Sequence, residues 1–301
     1  MASPSDLIPK QTITPGNGGF PVETTTLLDP IKLIPVTVKN GFVPPDLYSN
    51  WGNDTIGPLL MYTFAYDSLQ RVKNYLSKNK VPTPIYNEKS KSVIFDQTKM
   101  TNINFYVEGA HRVIGNPGDG KLTENQLIEK YGRDFSQWWA WEKYGSSRAA
   151  APGSSNHGFW KALDIYQSSD GSTKSQKIVR PGDGWKGPQD QFQAWFQKNG
   201  PAYGWFSVLM RDYKPNLPNN RVEPWHFEYF YDKDPFVQTK ILEAQKLAQA
   251  KKNEAWSKRY MAQNADKPYK DPRETNAATS FTDNVNQTLS DISKTINNFF
   301  K

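Results

Sequence analysis

Two short stretches, Ser154 to Ile165 (SSNHGFWKALDI) and Arg221 to Tyr229 (RVEPWHFEY), hold two of the three histidines in this 301-residue chain. Each sets its histidine near an acid. His157, Asp164 and His226 would offer two imidazoles and one carboxylate, a donor set that holds Zn²⁺ through three protein ligands and leaves a fourth position open. Glu223 sits three residues before the last of them. Taken alone, a histidine and an aspartate seven apart also fit a hydrogen-bonded turn histidine. The pattern is not the helical HExxH, in which histidines four apart share one face. Here the ligands must converge from separate segments, and Gly158 beside His157 suits a strand-turn-strand.

The elements that must position them can be read from periodicity. Ala65, Leu69, Val72 and Leu76 recur at helical spacing and predict an amphipathic helix ending near Lys80. Ile103, Phe105 and Val107 alternate as in a half-buried strand, which would deliver the chain to Gly109-Ala110-His111-Arg112. Leu127, Tyr131, Phe135, Trp138 and Trp139 are roughly helical in spacing, with Gly132 against one unbroken helix. Phe192, Trp195 and Phe196 share a helical face within 189–198, and 205–209 and 222–230 read as strands. Glu228, within the last of these, is expected to point outward, with a role as proton acceptor the alternative. The architecture is therefore α+β, an antiparallel sheet with flanking helices.

Outside this core the composition changes. Residues 1–57 are rich in Pro, Thr, Gly and Asn and read as an extended N-terminal arm, with Ile31 to Val38 a candidate edge strand. Asp234-Pro235 is a good helix start for a segment over 233–266, because Asp caps free N–H groups and Pro tolerates the first turn. Its lysines read as a solvated face. Residues 267–280 form a polar linker, and Phe281, Val285, Leu289, Ile292, Ile296 and Phe299 give 281–301 an apolar stripe that needs covering.

The net charge of +7 and pI near 9.2 favour an anionic partner, such as nucleic acid, anionic lipid or a bacterial cell wall. No recognition motif or basic-aromatic array supports nucleic acid. The absence of cysteine excludes disulfides, thiolate metal sites and cysteine nucleophiles. No 18-residue apolar run is present, and the start of the chain carries no export signal.

Over about residues 58–232 the chain resembles the zinc D-alanyl-D-alanine carboxypeptidases of the VanY and VanX type. Their core is shared by phage L-alanyl-D-glutamate endopeptidases and the hedgehog signalling domain. The pattern SxHxxGxAxD appears as Ser155, His157, Ala162 and Asp164, after Pro152-Gly153, and ExWH as Glu223-Pro224-Trp225-His226. Residues 200–205 (GPAYGW) look like the family's tyrosine-glycine-aromatic step, and 109–112 (GAHR) like its SGYR turn. The resemblance implies a hedgehog-like core, zinc on His157, Asp164 and His226, and Glu223 moving a proton from the attacking water to the leaving amine. It further implies Arg112 at the developing oxyanion and Ser155 as a substrate donor, although a turn-supporting role suits Ser155 nearly as well. Trp160 replaces the usual glycine and His111 the usual tyrosine. Trp160 either alters the turn or narrows the cleft, and His111 suits stacking or substrate contact more than metal.

Such a protein would hydrolyse a stem-peptide amide of bacterial peptidoglycan. The lack of an export signal, the arm and the 281–301 segment together suggest a phage setting, either an endolysin or a virion component, with tail or baseplate proteins as partners and a location in the virion or, before release, the host cytoplasm. A non-enzymatic tail or baseplate component retaining the fold is the alternative.

Overall fold

A computed structural model describes residues 21–42, 45–51, 59–108, 137–146, 149–167 and 187–263. The chain divides into two units, 1–238 and 239–301. In the first, strands β1 (Thr24–Leu28) and β2 (Pro35–Lys39) form an antiparallel hairpin, and β3 (Tyr48–Trp51) pairs with β4 (Leu59–Tyr62). Helix α1 (Thr63–Lys78) follows at once and buries Ala65, Leu69, Val72 and Leu76, the stripe its periodicity predicts, together with Phe64. β5 (Val81–Asn87) and β6 (Ser92–Thr101) make a second hairpin, much of it exposed.

The sheet that carries the site has the order β7-β8-β10-β9, with β7 (Phe105–Glu108), β8 (Ala162–Gln167), β9 (Trp205–Phe206) and β10 (His226–Tyr229), all neighbours antiparallel. α2 (Gln137–Tyr144) and α3 (Gln191–Asn199) lie between the strands in sequence. Asp190 caps α3 by accepting from Gln193 N, and the helix buries Phe192, Trp195 and Phe196. Those rings meet Phe105, Trp205 and Phe227 in an aromatic core. Clusters of this kind gain roughly 0.5–1.5 kcal/mol per ring pair beyond the area they bury.

Two expected strands are shorter than their apolar runs. β9 stops after Phe206, because Ser207 to Met210 turns, with Met210 N donating to Ser207 O at 3.0 Å. β10 begins only at His226, because Glu223 to His226 is a β-turn closed by His226 N donating to Glu223 O at 3.2 Å. Pro224 fills the second turn position, where its fixed φ is already suitable. Gly204 (φ +83°) takes the left-handed backbone, and a Cβ there would lie 2.8 Å from the Tyr229 ring. This accounts physically for glycine in the GPAYGW segment.

The described part of the expected arm is not extended. The Tyr62 hydroxyl donates to Leu28 O at 2.6 Å and accepts from Leu28 N at 3.1 Å, tying β1 to β4 in a buried contact. Leu27, Leu28 and Val38 are 2–3% exposed. The apolar faces of a Pro/Thr-rich segment thus find a core that composition alone does not reveal.

α4 (Pro235–Gln263) starts as Asp234-Pro235 predicts, with Asp234 Oδ1 accepting from Phe236 N at 3.0 Å. Asp234 also binds Arg71 and, at 2.7 Å, the Tyr229 hydroxyl. In the second unit, the remainder of α4 carries a Glu254–Lys258 pair at 2.6 Å and Trp256 stacked on Tyr260. Among the described residues no helix is long and apolar enough to cross a membrane. The segments 267–280 and 281–301 lie outside the described residues.

Candidate metal centre

Asp164 on β8 and His226 on β10 are direct cross-strand partners. Opposed residues of an antiparallel pair send their side chains to one face, so the register alone brings this acid and this imidazole together. His157 arrives from a 3-10 turn, Asn156–Phe159, immediately ahead of β8. Its Nε2 lies 3.2 Å from His226 Nδ1, and Asp164 Oδ1 lies 3.6 Å and 3.5 Å from those two atoms. Both histidines are buried, at 6% and 4% exposure, and Asp164 is half-buried.

That triangle can be tested against a cation. Zinc bonds of about 2.0–2.1 Å in tetrahedral array put neighbouring donor atoms about 3.3–3.4 Å apart. The three edges, 3.2, 3.5 and 3.6 Å, bracket that distance. Nitrogen, nitrogen and oxygen donors suit Zn²⁺ rather than Mg²⁺ or Ca²⁺, which prefer all-oxygen sites. The residues therefore fit the metal that their types imply.

Glu228, expected to face outward, is turned in and only 6% exposed. A strand's period of two puts residues 226 and 228 on one face, and that signal could have placed it. Its Oε1 lies 3.2 Å from His226 Nε2 and accepts from Asn156 Nδ2 at 2.6 Å. One carboxylate thus joins both ligand-bearing segments, through the residue next to His157 and through the far nitrogen of His226. A hydrogen bond at Nε2 leaves Nδ1 to face the metal position.

The charges follow from this packing. Burial favours neutral His226, but hydrogen bonds and charge from Asp164 and Glu228 outweigh it and raise its pKa to about 10. Burial likewise raises Glu228, yet the His226 hydrogen bond and charge, helped by Lys161 and Asn156, hold its carboxyl below the usual range. Without a metal the pair is thus an imidazolium and a carboxylate.

The other expected site residues fall out differently. Glu223 is half-buried at the first position of the turn that ends at His226. Trp160, expected either to alter the turn or to narrow the cleft, has its indole buried among the described residues. It is 1% exposed and stacks on Tyr48 at 5.4 Å between centroids. Its backbone is left-handed, φ +65° and ψ 14°. That conformation costs a non-glycine residue about 1–2 kcal/mol, whereas burying an indole of 150–250 Å² returns about 4–6 kcal/mol. The turn keeps the shape that glycine would give it, and the indole goes inward. Ser155 is 5% exposed, and its carbonyl accepts from Asn40 Nδ2 and Gly158 N, so its visible part is loop support. His111 and Arg112 lie outside the described residues.

Comparison with protein families finds that the model for VanY, D-alanyl-D-alanine carboxypeptidase, matches residues 123–232. This span includes all three clustered residues. Among solved structures, the LdcB LD-carboxypeptidase is similar at 16% identity, covering 64% of this chain and 69% of its own, with a TM-score of 0.34. A vancomycin-resistance D,D-pentapeptidase VanY from a VanB-type cassette, solved with Zn(II), is 14% identical, with 60% and 78% covered and a TM-score of 0.31. Comparison with curated proteins finds no match.

Proposed function

We propose that this chain is a zinc-dependent peptidase that hydrolyses a stem-peptide amide bond of bacterial peptidoglycan. The observation that carries the reading is the triangle of His157 Nε2, His226 Nδ1 and Asp164 Oδ1, sized for a tetrahedral cation. It lies inside the span matched by the D-alanyl-D-alanine carboxypeptidase family. Bound there, zinc supplies a Lewis acid that polarises the scissile carbonyl and acidifies water.

The chain's own groups do the rest. Glu223, fixed by the turn whose last residue is His226, takes a proton from water as its oxygen bonds to the carbonyl carbon. It returns that proton to the amide nitrogen as the C–N bond breaks, leaving a carboxylic acid and an amine. Arg112 balances the negative charge developing on the carbonyl oxygen. Glu228 holds His226 rather than reacting, since its carboxylate is already engaged by His226 and Asn156.

The matched family supports removal of a terminal D-alanine. Cleavage inside the stem, between L-alanine and D-glutamate, would release different fragments. We also place the activity in a phage lytic or particle-borne setting. The apolar period over 281–301 supports this, because that stripe takes no part in the hydrolytic chemistry and needs a partner to cover it.

The test combines three measurements. Purified full-length protein should contain about one zinc per chain. Glu223→Ala should stop peptide release from purified sacculi while the zinc content and fold persist. Mass spectrometry of the wild-type products identifies the bond. Zinc-loaded protein that releases no fragment from sacculi or soluble muropeptides would instead support a non-enzymatic wall- or tail-associated role.

A further inference from the structure

We propose that Asn40, at the end of the N-terminal hairpin, is a positioning residue for His157, so that the hairpin is a working part of the metal centre. The inference rests on the metal reading above. Asn40 lies outside the span that the carboxypeptidase family matches, and His157 lies inside it.

The loop from Gly153 to Trp160 has little of its own to hold it. Its internal backbone bonds are short-range, Gly158 N to Ser155 O and Trp160 N to His157 O, as in a single 3-10 turn. Such turns have poor hydrogen-bond geometry and take their stability from their surroundings. The hairpin supplies those surroundings at both ends of the loop. Glu23 N donates to Gly153 O at 2.9 Å, and Gly41 N donates to Gly158 O at 2.6 Å. Asn40 N closes the hairpin on Glu23 O at 2.9 Å, so the two grips are one rigid piece.

Asn40 lies between these grips and is 1% exposed. Its Nδ2 donates to Ser155 O at 2.6 Å, two residues before His157. Its amide also lies flush against Gly158, where an added Cβ would come within 2.1 Å of Asn40 Oδ1. The side chain therefore fixes the loop on both sides of the ligand, by a bond before it and by contact after it. Farther on, Tyr62 N donates to Trp160 O at 2.7 Å and Tyr48 stacks on the Trp160 indole. Apart from the ligand triangle and the bond from Asn156 to Glu228, every long-range partner named for this loop precedes residue 63. A catalytic unit cut at residue 58 would lose the hairpin that holds its first ligand.

Metal sites need ligand placement to within about 0.5 Å, and loss of an outer-shell partner typically costs 10–100-fold in metal affinity. The test is a zinc titration of the full chain against a competing chelator, with thermal unfolding of the metal-free protein measured in parallel. Asn40→Ala and Asn40→Asp are compared with Val38→Ala, a cavity mutation in the same hairpin. Asn40→Asp keeps the shape against Gly158 but removes the donor to Ser155 O, so it probes the bond even where Asn40→Ala fails to fold. Both Asn40 variants should bind zinc at least about tenfold more weakly than wild type. Val38→Ala should unfold at lower temperature yet bind zinc within about twofold of wild type, since it touches packing alone. Asn40 variants that bind like wild type, or a Val38→Ala loss as large as theirs, overturn the proposal while leaving the metal reading intact. Wild-type protein that takes up no zinc overturns both.

Discussion

Asp164 and His226 face each other across the β8–β10 ladder, with Asp164 Oδ1 3.5 Å from His226 Nδ1. A sheet register thus sets one edge of the proposed metal site, and only the third donor depends on a loop. This division makes the site's failure modes separable.

Metal should stabilise the protein strongly. A ligand that binds only the folded state adds about 4 kcal/mol at a thousand times its dissociation constant. Differential scanning calorimetry should show a large rise in Tm on zinc addition, reversed by chelator. Asp164→Ala, which leaves two of the three donors, should show little of this rise.

Glu228 and Glu223 should separate cleanly. Glu228→Gln keeps the side-chain shape but weakens the hold on His226 Nε2, so zinc affinity should fall by about 10–100-fold. Activity should return when zinc is raised to saturation. Glu223→Ala should retain wild-type affinity and remain inactive at any zinc concentration. The reverse pattern would exchange the two roles.

Zinc uptake should be coupled to proton release. The folded pKa of His226, about 10, stands above the ordinary 6.5. In metal-free protein the stability drawn from this proton is complete below pH 6.5 and is lost as pH rises through 10. Zinc needs the neutral ring. Apparent affinity should therefore climb about tenfold per pH unit across that window while the proton is displaced. Calorimetric titration near neutral pH, in buffers of different ionisation enthalpy, should count about one proton released per zinc bound. Buffer-independent heats would contradict the charge state assigned to His226.

Replacing Trp160 by glycine should do harm. Trp160→Gly relieves about 1–2 kcal/mol of left-handed strain, but emptying a buried indole site costs about 3–5 kcal/mol. Equilibrium denaturation should show a net loss of about 1–4 kcal/mol. A variant as stable as wild type would mean that the stack on Tyr48 contributes little.

What could be read from the chain by itself was local chemistry and local period. The donor types at 157, 164 and 226, the stripe that makes α1, the Asp234 cap and the alternation of β7 are all written in neighbouring residues. Long-range support was not, and neither was the register that decides which face of a strand is covered. Glu228 turns inward because β10 starts at His226 and pairs with β8 in one register, and Trp160 is buried because Tyr48 offers a ring to stack on. Residues 23–42 pack against the His157 loop through bonds spanning more than a hundred positions, such as Asn40 to Ser155. Composition and short-range spacing carry no record of a partner so far away in sequence. Packing selects that partner, and it was decided only when the tertiary structure closed around the site.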